Sequence, residues 1–201
     1  MNILVEDLPE SLEIDGISYR INSDFRACLL TIMAFEDNEL TMQEKQYILL
    51  KNLFPEETPS NSEEAVKAAL QFLNGKSGSD SEAEERNSPR LYSLSHDANF
   101  IYAAFKQTHG IDLQTDKLHW WKFLALFMDL GSETTFCSLV SLRKRIKTGK
   151  ATKEEKAAAR EMGDIFNVPE LDTRTLEEKE LERQFLASIG SAAWNKTMME
   201  E

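Results

Sequence analysis

The chain has 201 residues, 41% of them apolar, with 11 Phe, 3 Trp and 4 Tyr; this fills the core of one medium domain or two small ones and excludes a wholly disordered chain. Asp and Glu outnumber Lys and Arg by 35 to 23, a formal net charge of -12, which disfavours broad binding to a phosphate backbone, since that relies on Lys and Arg. No window approaches the roughly 18 consecutive apolar residues of a membrane span, and the best candidate, Phe123–Met128, is far too short.

The first segment, MNILVEDLPE, has no basic stretch followed by an apolar one. It does not read as a signal peptide, and the expected site of action is the cytoplasm. A β-hairpin is expected next. Leu12 and Ile14 alternate with Glu13, Asp15-Gly16 tolerates positive φ in a two-residue turn, and Ile17, Tyr19 and Ile21 alternate on the way back. Asn22 and Ser23 can cap a helix over residues 24–36 with apolar Phe25, Leu29, Ile32 or Met33, and Phe35. Thr41 with Glu44 three residues on makes a capping box for a helix burying Tyr47, Ile48, Leu50 or Leu49, Leu53 and Phe54, stopped by Pro55. Ser60 and Glu63 repeat that spacing for a helix with Val66, Ala69, Leu70 and Leu73, ended by Gly75.

From Lys76 to Arg90 no residue larger than Ala is apolar, so this acidic stretch reads as a solvated, mobile linker. Ser95 then opens a helix through Gln107 with Phe100, Ile101, Ala104 and Phe105 on one face, ended by Gly110. Thr115 or Asp116 caps the next, carrying Leu118, Trp121, Phe123 or Leu124, Leu126 and Phe127, with Gly131 closing it. A further helix over about 133–147 carries Phe136, Leu139, Val140, Leu142 and Ile146. It ends in the basic run Arg143-Lys144-Arg145-Ile146-Lys147, which complements the helix dipole. Thr152 and Glu155 form another capping box for a polar helix to Phe166, and Pro169 breaks the chain. A final charged helix from Thr173 carries a sparse stripe of Leu176, Leu181, Phe185 and Ile189.

The expected architecture is mainly α (α+β), a β-hairpin followed by a bundle of about six to eight helices. Its parts are residues 1–75, the linker 76–90, a bundle over 91–170 that packs with 1–75 as one body, and a C-terminal helix and tail over 171–201.

No catalytic template is found. There is no G-x-S-x-G elbow, P-loop, dinucleotide glycine fingerprint or H-E-x-x-H helix. His96, His109 and His119 lie 13 and 10 residues apart, which matches no zinc pattern, and Cys28 and Cys137 have apolar neighbours and read as reduced, buried thiols. The carboxylates lie in solvated runs such as Glu154-Glu155 and Glu177-Glu178, without the desolvated site that acid–base chemistry needs. The expectation is a binding protein that is not an enzyme, with no cofactor and no metal.

The adjacent Trp120 and Trp121 cannot share one helical stripe. Trp121 aligns with Leu118 and Leu124, so Trp120 points to another surface, either packed under the hairpin or a neighbouring helix or exposed as an aromatic anchor. Trp194, with Met198 and Met199, forms a second candidate adhesive element. Trp120, Trp121 and Trp194 are therefore the candidate partner-binding residues.

The block HDANFIYAAFKQTHGIDLQTDKLHWWKFLALFMDL, residues 96–130, is distinctive. Its order D-A-x-x-I-Y-A-A-F, G-I-D-L, L-H-W-W-K-F-x-A-L-F resembles the Gp-fifteen family of phage proteins, which are encoded in the tail modules of long-tailed phages and prophages of Gram-positive bacteria. Ile21–Arg26, Leu53-Phe54-Pro55 and Phe136–Arg143 extend the likeness over residues 12 to 170. The resemblance implies a tail assembly chaperone that binds and solubilises the tape measure protein and is absent from the finished virion. Its implied partners are the tape measure protein, the major tail tube protein and further copies of itself, with no nucleic acid and no membrane. A structural minor tail or connector protein is the alternative.

Overall fold

The computed structural model describes residues 3–75 and 90–169. All of the expected linker 76–90 except Arg90, and the expected C-terminal helix and tail over 171–201 with Trp194, lie outside the described residues.

The hairpin forms as its alternation requires. Strand β1 (Ser11–Ile14) pairs antiparallel with β2 (Ile17–Arg20), Ile14 facing Ile17 across the turn. Asp15 and Gly16 both take positive φ, 52° and 77°, the backbone of a type I′ turn whose twist matches that of the strands. Three helices follow: α1 (Phe25–Glu36), α2 (Met42–Leu53) and α3 (Ser62–Leu73). Four more come from the second half: α4 (Ala98–His109), α5 (Trp120–Met128), α6 (Thr135–Lys147) and α7 (Lys153–Met162), the last continued by a 3-10 turn over Gly163–Ile165. The described chain is thus mainly α with one N-terminal hairpin.

The caps show where local signals hold and where tertiary contacts override them. Thr41 with Glu44, and Thr152 with Glu155, each form the reciprocal capping box expected from their spacing. Three expected caps move. Asp24, and neither Asn22 nor Ser23, caps α1 by accepting from Arg26 N, while Asn22 instead braces Asp24 N. Asn61 replaces Ser60 before α3, because its amide can accept from Glu64 N and also donate to Asp15 Oδ2 in the hairpin turn. His119 replaces Thr115 or Asp116 before α5, and that helix ends at Met128, before Gly131. Residues 112–116 are closed into a polar turn by Asp112 N–H donating to Asp116 Oδ2 and by Asp116 N–H donating to Asp112 O. Gly110, at φ 70°, ends α4 in the left-handed conformation that only glycine adopts freely.

One apolar cluster draws on both halves, from Ile14, Phe25, Leu49, Leu53 and Phe72 to Phe105, Trp120, Phe123 and Phe136. Helix α5 lies between α1 and α4, and α6 packs on α4 and α7. The rings of Phe25, Phe123 and Phe105 stack in a row at 5.0 and 4.9 Å, so the core runs through α1, α5 and α4 as a single aromatic file. Thr31 joins α1 to α2, donating to Ala27 O and accepting from Asn52 Nδ2. Tyr47 and Leu70, expected inside, are exposed, since α2 and α3 turn Leu49, Leu50, Phe72 and Leu73 inward instead. Cys28 and Cys137 are free thiols. Burial, with the Asp24 carboxylate adding to it, pushes the Cys28 thiol up to about 12.

Thr41→Ala removes the side-chain half of a capping box at an exposed helix start, while the backbone N–H of residue 41 can still donate to Glu44. It should lower stability by about 1 kcal/mol, seen as a shifted urea midpoint with an unchanged slope.

Candidate functional site

The two adjacent tryptophans come to one place by different routes. Leu118 and His119 run extended beside Ser23–Phe25, with Trp120 N–H donating to Ser23 O at 2.7 Å and Phe25 N–H to Leu118 O at 3.0 Å. This pairing sets the start of α5. From there Trp120 Nε1–H reaches Leu73 O and Trp121 Nε1–H reaches Phe72 O, both at 2.8 Å. Those carbonyls belong to the last turn of α3, where a helix runs short of internal donors; Gly75 N–H also donates to Phe72 O, and the two indoles complete the C-terminal end. Trp121 also stacks on Phe72 and Trp120 on Phe123. With exposures of 2% and 8%, the side chains of Trp120 and Trp121 lie in the core. The alternative of Trp120 as an exposed anchor is corrected on that ground: an indole with its N–H engaged and its ring stacked has no free surface to offer. Trp194 lies outside the described residues.

His119 holds this junction. Its Nδ1 accepts from Trp121 N–H at 3.1 Å, so Nε2 carries the proton and donates to Pro9 O at 3.1 Å. Burial lowers the imidazole pKa below its ordinary value, with the Lys122 ammonium adding to this and the Pro9 carbonyl and Glu10 opposing it. The neutral ring is the one that fits.

The second polar constellation did not stand out in the sequence. Arg143, read there as one cation of a dipole-matching run, is 1% exposed and forms a two-pronged ion pair with Asp97, which is 0% exposed. Nη1 and Nη2 donate to the two Asp97 oxygens at 2.8 and 2.9 Å. The remaining donors go to Leu91 O, Ile165 O and Phe166 O, and Asp97 also accepts from Ser93 N. One guanidinium thus fastens the chain before α4, the start of α4, the helix α6 and the 3-10 turn after α7. A signal was present: Arg143 falls at helical spacing from Phe136 and Leu139, on the apolar side of its helix. Two other cations of the run are also engaged within the chain, Arg145 with Glu155 and Lys147 with Arg90 O.

Among the described residues, a cleft and a groove mark the outer surface. A cleft of about 430 Å³ lies between Met33, Ala34 and Leu40 on one side and Arg90, Ser93 and Pro169 on the other. The Arg90 guanidinium crosses it, pairing with Glu36 and donating to Pro169 O. A groove of about 440 Å³ lies between Ile146 of α6 and Lys156, Ala159 and Arg160 of α7, with Phe166 at its end. The cleft opens onto the outer side of α1, where Leu30 is 59% and Met33 37% exposed. Helix α1 has no charged residue between Arg26 and Glu36, and a helix so uniformly apolar is ordinarily covered on every side.

Among the described residues no group of three or more His, Cys, Asp or Glu is placed to hold a metal. Every buried side-chain polar atom among them has a partner within the chain. His109 Nε2 is committed to Leu126 O. No described helix is long and apolar enough to cross a membrane.

A mainly α body with an N-terminal hairpin, stitched by indole–carbonyl bonds and one buried ion pair, is thus what the described residues define. The family described as Bacteriophage Gp15 protein matches residues 4–168. The chain belongs to that family, which supports a phage structural or assembly role. No curated protein and no solved structure matches it.

Two outcomes check the polar junctions. Asp97→Ala strands a buried guanidinium and should cost about 3–5 kcal/mol, whereas Glu56→Ala, which breaks the exposed pair with Arg20, should cost about 1 kcal/mol or less; urea denaturation of both variants measures the contrast. His119 has a folded-state pKa below its unfolded one. Its contribution is therefore complete above pH about 6.5 and is lost as pH falls from there toward the folded value. His119→Asn keeps a capping acceptor and should flatten the stability profile across that range.

Proposed function

We propose that the chain is a non-catalytic tail assembly chaperone that binds the phage tape measure protein and keeps it soluble while the tail tube assembles. It acts in the host cytoplasm and leaves before the virion is complete. The observation that carries this reading is family membership over residues 4–168.

The physical properties of the described body support it. Its ionisable core groups, Asp97, Arg143 and half-buried His119, are spent on internal hydrogen bonds, which argues for a structural use of each and against an enzyme. The net charge of -12 keeps such a helper soluble and off nucleic acid. The uncovered apolar side of α1 beside the cleft suits an amphipathic helix laid along it.

Co-expression with the tape measure protein tests the reading. The tape measure should move from the pellet into the soluble fraction and co-purify with this chain. If it is no more soluble with the chain than without, the chaperone reading fails. Mass spectrometry of purified particles should find the chain missing, and its presence at fixed stoichiometry would instead establish a minor tail or connector protein.

A further inference from the structure

We propose that the C-terminal stretch of this chain docks through Leu181, Phe185 and Ile189 on the uncovered side of α1 formed by Leu30, Met33 and Ala34. Three observations converge on that occupant. The first is the surface itself, a helix side without a charge between Arg26 and Glu36 on which Leu30 stands 59% exposed. Leaving it to water forgoes burial worth roughly 25 cal/mol per Å². The second is where the chain goes. Pro169 lines the cleft at the end of this same surface, held there by Arg90, which also pairs with Glu36 at the end of α1. The described chain therefore ends, at Pro169, beside the edge of the uncovered side, with residues 170–201 still to follow in the sequence.

The third is the sequence that departs. Leu181, Phe185 and Ile189 recur at intervals of four, the spacing of one helical stripe. Residues 170–180 can extend about 35 Å at ~3.3 Å per residue, about twice the ~18 Å length of α1, so the stripe reaches any part of it. Tethering also decides between occupants. Three apolar residues make too small a patch to join separate chains, for which about 1,000 Å² is needed. A short tether supplies them at an effective concentration of order mM. This docking is independent of what else the chain binds, and any partner using the same side of α1 must displace it.

The test uses the full chain with Cys137→Ser, which leaves only the buried Cys28, and Leu30→Cys as a reporter. Maleimide labelling of the reporter is timed with and without Leu181→Glu and Phe185→Glu, at several protein concentrations. The two charges should speed labelling roughly tenfold, by the same factor at every concentration. Equal rates with and without them would overturn the docking. So would protection that grows with protein concentration, the mark of a second copy on this surface. Met33→Cys is a second reporter, with the same expected and overturning results.

Discussion

A guanidinium has five N–H donors in a rigid plane, and burying it is costly unless all five are met. Arg143 meets them with both oxygens of Asp97 and three backbone carbonyls, those of Leu91, Ile165 and Phe166. These acceptors come from three separate stretches of the second half, around Leu91, Asp97 and Ile165-Phe166, and Arg143 on α6 joins all three. The arrangement is all or nothing, because losing one carbonyl leaves a charged donor in a dry site. That demand fixes the position of the described chain just before α4 and just after α7. Arg90 and Pro169, which frame the cleft beside α1, are positioned by it.

The join between the halves rests on different chemistry. Helix α3 ends with carbonyls facing the core, where water cannot reach them. The indoles of Trp120 and Trp121 donate to Leu73 O and, alongside Gly75 N–H, to Phe72 O, while their rings fill the space around Phe72 and Phe123. Phenylalanine would fill much of that space and leave the buried Leu73 carbonyl without its indole donor. Two adjacent tryptophans can both be buried because α5 starts there, with His119 as its cap and the preceding residues extended against Ser23–Phe25. A helix extended further back would have pushed one indole outward.

Elements whose signal is local were legible. The Asp15-Gly16 turn, the alternation around it, the two capping boxes and the glycine after α4 each follow from a few neighbouring residues, and they stand where expected. Caps chosen by remote partners were not. Asn61 is selected by Asp15 across 46 residues and His119 by Pro9 across 110, and no short window contains that information. The tryptophans illustrate a different limit. Their adjacency showed that they face different ways, yet a side chain's exposure depends on what lies opposite, and α3 does. Arg143 was hidden inside a basic run whose other members stay near the surface, although its spacing from Leu139 marked it as belonging to the core side.

An acidic body with a bare apolar helix side presents a problem that its charge partly resolves. Apolar surface draws copies together, and a net charge of -12 drives them apart over distances of about a Debye length, ~8 Å at physiological salt. Contacts between copies feel the full repulsion. An intramolecular contact does not, because folding the tail back adds little to the charge already carried by the chain. A long amphipathic partner is intermediate, since it can offset the repulsion with more buried area or with cations of its own. With the tail docked as proposed, the same balance favours a covered α1 in the free protein and an accessible one when a larger apolar helix competes. Such an ordering is what the proposed chaperone role would require, solubility alone and a cover given up to a larger partner.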